Sequence, residues 1–349
     1  MEGAHGGSCN RDRPMLHRIL GKLAPLLRPT ADRTIRGGMA PALLLLVPLL
    51  AGTPQDGVAQ APICGERYEV QVEGGALDLP YCSNLPVGEP NPRVRRIVFS
   101  IHGVATNATT YYENMVAAAE KVPGAMEETL IIGPKLMTRA FADDRDDLLP
   151  NDIFWNTSSD RFWGGESGSS DRHPRTGAIS SFELFDRFLA DLLRPELFPN
   201  LEIVVLAGHS GGGQFMNRFA MASPFEDEVA RPRGVHVRYV VGQPSTHTYL
   251  TNVRVDLADR TRSTFRVPGA DETGACPAWN RYGSGLEGLE GWTYMERVGA
   301  ETMLERYRDR DVIYLHGIDD SDPEDSQLAR GCAAMMQGFH RLDRGITYF

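Results

Sequence analysis

The sequence predicts an α/β fold: a mostly parallel sheet with helices on both faces. Three observations carry that prediction. Short apolar, β-branched runs alternate with helical patterns along most of the chain. Parallel neighbours need a crossover between them, so this alternation implies a parallel sheet. Residues 201–219 (LEIVVLAGHSGGGQFMNRF) read as a buried strand, a glycine-rich turn and a helix, with Gly208-His209-Ser210-Gly211-Gly212 at the turn. Finally, no internal repeat or long low-complexity linker interrupts the pattern.

The elements follow in order. Residues 67–72 and 76–81 form a hairpin around Gly74-Gly75. Residues 95–101 are a central strand that ends at His102-Gly103. Residues 111–122 are a helix stopped by Pro123-Gly124. Residues 129–132 are a short strand, followed by a polar loop at 142–177. Residues 179–193 are an amphipathic helix with Phe182, Phe185, Leu189 and Leu193 along one side. The strand at 203–207 and the helix at 214–222 flank the turn, and Pro224 follows them. A strand at 235–241 leads into an irregular excursion at 244–300 that contains Trp279, Tyr282, Trp292 and Tyr294. A helix at 301–307, a strand at 311–316 and a helix at 327–337 follow, and residues 346–349 read as the start of one more strand.

The termini and composition narrow the class. Residues 41–52 (PALLLLVPLLAG) are apolar but too short to span a bilayer. Arg33 and Arg36 precede the run, and small residues follow it, the layout of a secretory signal peptide. Cleavage after Ala59 is favoured over Ala61, which would leave Pro62 first. Met39 is an alternative start. Residues 1–60 are thus expected to be an N-terminal extension and signal peptide, and residues 61–349 one α/β domain, secreted or periplasmic, with no stable membrane span. Cys64, Cys82, Cys276 and Cys332 remain after cleavage, an even number suited to an oxidising compartment. Of three possible pairings, Cys64–Cys82 would close the N-terminal hairpin and Cys276–Cys332 would tie a long loop to a late helix; four buried thiols are the alternative. A net charge of −10 with no basic stripe argues against a nucleic-acid partner. No residue pattern calls for a cofactor or a metal. Asn107-Ala-Thr109 and Asn156-Thr-Ser158 match the glycosylation acceptor pattern, which matters only in a eukaryote.

The turn at Ser210 is the chemical centre of the sequence. Flanking glycines permit a sharp strand-to-helix turn that exposes Ser210 Oγ, and the helix start presents free N–H groups to a developing oxyanion. The Val104 and Gly211 N–H groups are the candidate oxyanion donors, since His102-Gly103 ends an earlier strand. The orienting acid should follow a later strand. Asp320 is the first choice, then Asp319, then Asp322; a solvated acidic loop is the competing reading. His340 alone among the histidines follows Asp320, as the order Ser, acid, His requires, but it sits where a surface histidine at a helix end would. His209 is fixed in the turn, His102 belongs to the oxyanion loop and His316 to a strand. His173 and His247 lie in loops able to cover the site.

From about Leu79 to the C-terminus the chain resembles the secreted branch of the α/β-hydrolase superfamily. The likeness rests on Phe99-Ser-Ile-His-Gly103, Phe154-Trp155 with Trp163-Gly-Gly165, Ser180-Ser-Phe-Glu183, Phe198-Pro-Asn-Leu201 and Gly208-His-Ser-Gly-Gly-Gly-Gln214. It continues through Val240-Val-Gly-Gln-Pro-Ser245, Tyr314-Leu-His-Gly317 and Gln337-Gly-Phe-His-Arg341. The resemblance implies the α/β-hydrolase fold. It also implies that the base belongs to a Gly-His-containing segment beyond Phe349, as if the gene model were truncated. The function expected is serine hydrolysis of a small-molecule or polymeric carboxylic ester. Two alternatives stand beside it: a non-catalytic secreted binding domain, and an inactive truncated hydrolase lacking its histidine. No feature marks a protease. The aromatic residues at 155–163 and 279–294 are read either as an apolar acyl site or, more simply, as packing of long loops onto the core.

Overall fold

The computed structural model describes residues 64–156 and 163–348. The signal peptide and its cleavage sites, expected within residues 1–60, lie outside the described residues, as does Asn156's partner sequence at 157–158.

Seven strands form the main sheet: β1 (Glu66–Val72), β2 (Gly75–Ser83), β3 (Arg96–Ile101), β4 (Thr129–Pro134), β5 (Ile203–His209), β6 (His236–Gly242) and β7 (Asp311–Leu315). Their spatial order is β1-β2-β4-β3-β5-β6-β7. β1 and β2 are an antiparallel hairpin, β2 meets β4 antiparallel, and every later pair is parallel. This is the α/β-hydrolase sheet. β3 and β5 lie side by side, with Ile97 opposite Val204 and Ile101 opposite Gly208, so His102 and the turn at Ser210 leave the sheet at the same end.

Alternation along β3 sorts the helices onto two faces. Successive strand residues point to opposite sides. Phe99 meets Phe185 and Phe188 of α2 (Ser181–Leu192), with ring centroids 5.9 and 5.6 Å apart. Its neighbour Ser100 donates to the Tyr111 carbonyl of α1 (Ala108–Ala119), 3.3 Å away. α1 and α2 therefore cover opposite faces. α2 forms because Phe182, Phe185, Phe188 and Leu192 recur on one side and the Ser180 hydroxyl accepts from the Phe182 N–H at its start. α3 (Gly211–Ala222) packs Phe215 against Phe182 and Phe185, and all twelve of its residues are buried. α4 (Ala300–Arg308) packs against α3.

The C-terminal region departs from the sequence reading twice. Of the helix expected at 327–337 only Cys332–Met335 is helical. Residues expected to open another strand belong instead to α5 (Arg341–Tyr348). Polar groups hold α5 rather than an apolar stripe. Buried Arg344 donates to the carbonyls of Gly338, Ser245 and Ala329, the Thr347 hydroxyl to the Gln337 carbonyl, and the Tyr348 hydroxyl to the Thr248 carbonyl. These anchors recur at helical spacing, which overrides the β-propensity of Ile346-Thr347-Tyr348.

Both disulfides form as paired above, Cys64–Cys82 and Cys276–Cys332, spanning 18 and 56 residues. Loop-closure entropy puts their stabilisation at about 3 and about 4 kcal/mol. Urea unfolding should therefore lose more stability in Cys276→Ser/Cys332→Ser than in Cys64→Ser/Cys82→Ser. Equal losses, or a larger loss from the N-terminal pair, would show that entropy is not the dominant contribution.

Candidate active site

Ser210 sits between β5 and α3 with φ +56° and ψ −115°. That backbone is costly for a residue with a Cβ and persists only where the surroundings enforce it. Here the surroundings are backbone. A Cβ on Gly208 would run into the Gly212 carbonyl, one on Gly212 into the carbonyls of Ile101 and His102, and one on Gly213 into the Gly242 carbonyl. α3 can thus start hard against β3 and β6. The Ser210 N–H donates to the Gly242 carbonyl at 2.9 Å and fixes the turn to β6. Among the described residues the amides of Val104 and Gly211 donate no hydrogen bond; Val104 lines the Ser210 cavity and Gly211 does not.

The loop after β3 is held by His102, which is only 1 % exposed. Its Nε2 accepts from the Leu136 N–H at 2.9 Å, so the proton sits on Nδ1, which donates to the Gly103 carbonyl at 2.6 Å. Burial pushes this imidazole down to about 4; the Gly103 bond opposes that shift and the Lys135 charge adds to it. His102 is a neutral brace at physiological pH.

Ser210 and Asp320 line one cavity of about 280 Å³, together with Val104, Asn107, Tyr111, His209, Gln243, Asp325, Gln327 and Arg341. Asp320 Oδ2 accepts from Gln243 Nε2 at 2.9 Å, and Oδ1 accepts from Arg341 Nη1 at 3.2 Å. Arg341 also pairs with Asp325. Gln243 holds φ +41° and donates its own N–H to the Leu315 carbonyl at 2.8 Å. A Cβ on Gly317 would lie 2.8 Å from Gln243 Nε2, so the acid loop leaves β7 close against the Gln243 amide. Gln243 Oε1 faces His209 Nε2 at 3.0 Å, and His209 Nδ1 faces the Tyr111 hydroxyl at 2.7 Å. The same Tyr111, His209 and Gln243 also line a larger, mainly apolar cavity of about 480 Å³ between α1 and the sheet, with His316 at its edge.

Sequence reasoning placed Ser210, Val104, Gly211 and Asp320 at one end of the sheet, and the structure brings Ser210, Val104 and Asp320 to one cavity. Asp319 and Asp322 do not line it. His340 is drawn off: its Nδ1 accepts from the Asp343 N–H at 3.1 Å and caps α5. His247 is wholly buried, its ring stacked 4.4 Å from Tyr348. His173 faces the Arg145 carbonyl. His316 lies one residue beyond β7, not within it. Among the described residues, His209 is the only histidine lining the Ser210 cavity. Tyr111 and Gln243 were missed: Gln243 stands in Val240-Val-Gly-Gln-Pro-Ser245 with no chemical role read from it, and the two residues meet only when α1 and the end of β6 converge.

The aromatic residues pack instead of forming an acyl site. Trp155 is fully buried in the core. Tyr282 meets Trp292 at 4.8 Å, Trp279 lies on Arg254, and Tyr294 donates to buried Asp186 at 2.5 Å. Trp163 donates its indole N–H to the Gly211 carbonyl at 2.9 Å, and Tyr282 donates to the Trp163 carbonyl. The long excursion thus braces the start of α3 from behind.

His102 gives a testable pH dependence. Its folded value lies below the ordinary 6.5, so its contribution to stability is full above pH 6.5 and is lost as the pH falls toward 4. Between pH 7.5 and 4.5 the wild type should lose about 2.5 kcal/mol more than His102→Gln in urea unfolding. The difference isolates this group from Asp186, whose burial pushes its carboxyl up to about 6 and works in the opposite sense. Parallel pH curves would mean that the ring takes up its proton without unfolding.

No protein-family model matches the chain. No curated protein matches it in sequence. Among solved structures it is similar to poly(aspartic acid) hydrolase-1 from Sphingomonas sp. KT-1, at 22 % identity over 82 % of this chain and 84 % of that one, with a TM-score of 0.43. It is also similar to acetyl xylan esterase 1 from Thermoanaerobacterium sp. JW/SL YS485, at 17 % identity over 83 % and 75 % of the two chains and a TM-score of 0.33. A siderophore hydrolase from Aspergillus nidulans shares 10 % identity over 83 % and 98 %, with a TM-score of 0.30. Their substrates are their own; the α/β-hydrolase fold of this chain rests on its strand order and on the turn at Ser210.

Proposed function

We propose that this chain is an exported serine hydrolase that cleaves carboxylic esters. Ser210 Oγ attacks the ester carbonyl, the Val104 and Gly211 N–H groups take the oxyanion, and Asp320 is the acid of the charge relay. The observation that carries the reading is the strained backbone of Ser210, enforced by carbonyl contacts on three sides and opening onto the cavity that holds Asp320. An inert turn has no reason to hold a serine at φ +56° where glycine would fit without strain. Two disulfides suit an oxidising compartment, which supports export. Among the described residues no helix is long and apolar enough to cross a membrane.

One observation favours a second reading, a non-catalytic ligand-binding domain. Asp320 is engaged by an amide and a guanidinium rather than by an imidazole.

Turnover of p-nitrophenyl acetate by the full chain decides between them. Ser210→Gly should abolish turnover and, by relieving the positive φ, stabilise the fold by about 1 kcal/mol. Turnover that survives Ser210→Gly would remove Ser210 as nucleophile. A folded wild type that neither turns over the ester nor reacts with a fluorophosphonate would leave the binding reading.

A further inference from the structure

His209, the residue just before the nucleophile, has both ring nitrogens committed within the site. Asp320 is a carboxylate paired with Arg341, so it can only accept from the Gln243 amide. That fixes the amide: Nε2 points to Asp320 and Oε1 to His209. Oε1 can only accept, so His209 carries its proton on Nε2. Nδ1 is then the bare nitrogen, and at 2.7 Å it accepts the Tyr111 hydroxyl proton. The donors therefore run one way, from Tyr111 through His209 and Gln243 to Asp320. With its proton given to His209 and the Gly103 N–H facing one lone pair, the Tyr111 oxygen has one lone pair left for the cavity.

Ser210 lies on that side. A Cβ on Gly103 would stand 3.6 Å from Ser210 Oγ and 3.5 Å from the Tyr111 oxygen. Both oxygens thus face the open position at Gly103 where a Cβ would stand and line the same cavity, without a hydrogen bond between them in this structure. No other side chain there is placed to take the serine proton: Asp320 and Asp325 are tied to Arg341, and His340 caps α5.

We infer that Ser210 is activated through Tyr111 and His209, with Gln243 and Asp320 as positioning residues; the inference rests on the serine-hydrolase reading. As Ser210 Oγ bonds to the ester carbon, its proton passes to the Tyr111 oxygen. The Tyr111 proton passes to His209 Nδ1, and the carbonyl electron pair moves onto the oxyanion. Collapse of the tetrahedral species breaks the bond to the leaving alkoxide, which takes the proton back along the same path. Water repeats the sequence on the acyl enzyme. The resulting His209 cation has Nε2–H on the Gln243 carbonyl, and Gln243 reaches Asp320. The charged or titratable groups around it are Tyr111 from α1, His316 beyond β7, Asp320 and Asp325 from the acid loop, and Arg341 from α5.

The test is fluorophosphonate labelling of Ser210 in the full chain between pH 5 and 9. The wild-type rate should level off above an imidazole titration. Tyr111→Phe should label 100-fold or more slowly, with a rate that keeps rising with hydroxide and an unchanged melting temperature. Tyr111→Phe that labels at the wild-type rate and profile overturns the relay and leaves the hydrolase reading standing. A folded wild type that never labels overturns both. Histidine ¹⁵N spectra of the wild-type phosphonyl adduct supply the check that needs no variant. His209 should pass from the Nε2–H form to the doubly protonated form, whereas protonation of His316 or His340 instead sinks the inference.

Discussion

Close approach of backbone to backbone at the start of α3 is the constraint on which the rest depends. Gly208, Gly212 and Gly213 have no room for a Cβ, because the carbonyls of Ile101, His102, Gly212 and Gly242 occupy the space. The contact does three things at once. It seats α3 over the middle of the sheet, where its phenylalanines reach those of α2. It forces Ser210 into positive φ. It also sets the Ser210 N–H on the Gly242 carbonyl, which places the next residue, Gln243, beside the turn. The site is thus a consequence of packing, and the strain at Ser210 is sustained by the same core that the helices bury.

Support comes to this point from both sides of the chain. Trp163 holds the Gly211 carbonyl from behind. Arg218, nearly wholly buried, sits over the Trp163 ring and donates to the Gln214 and Gly283 carbonyls. His102 holds Gly103 from the front. A neutral His102 suits this place, since a second cation beside Lys135 would be costly where the ring is buried.

What could be read from the sequence divides along a physical line. The turn at Ser210, the central strands, α2 and the Cys pairs were legible because their signals are simple: glycine around serine, β-branched runs, apolar side chains at helical spacing, and four cysteines after the expected cleavage. The position of Asp320 was legible from chain order, since the loop after β7 had to reach the same end of the sheet as β5. The misses share another cause. α5 is anchored by Arg344 and Tyr348 through hydrogen bonds to carbonyls 99 and 100 residues away and by Thr347 to Gln337, and an apolar-periodicity reading is blind to that. Tyr111 and Gln243 lie in different elements, and only the assembled sheet makes them neighbours. His209 was read as fixed in the turn; its side chain nevertheless faces the cavity.

The inserted amide also sets a limit on how well such a site can work. A carboxylate in direct contact with an imidazolium, at about 4 Å and an effective dielectric of about 20, contributes about 4 kcal/mol. With the Gln243 amide between them the separation grows to about 7 Å, and the attraction drops to about 2 kcal/mol on the same scale. Arg341 reduces it further by drawing on Asp320, although Asp325 returns one negative charge to the group. The His209 cation is thus less stabilised than the imidazolium of a directly paired triad. The relay inferred above would suit esters whose leaving groups need little protonation and would be ill suited to amides, whose leaving amine must be protonated as the bond breaks.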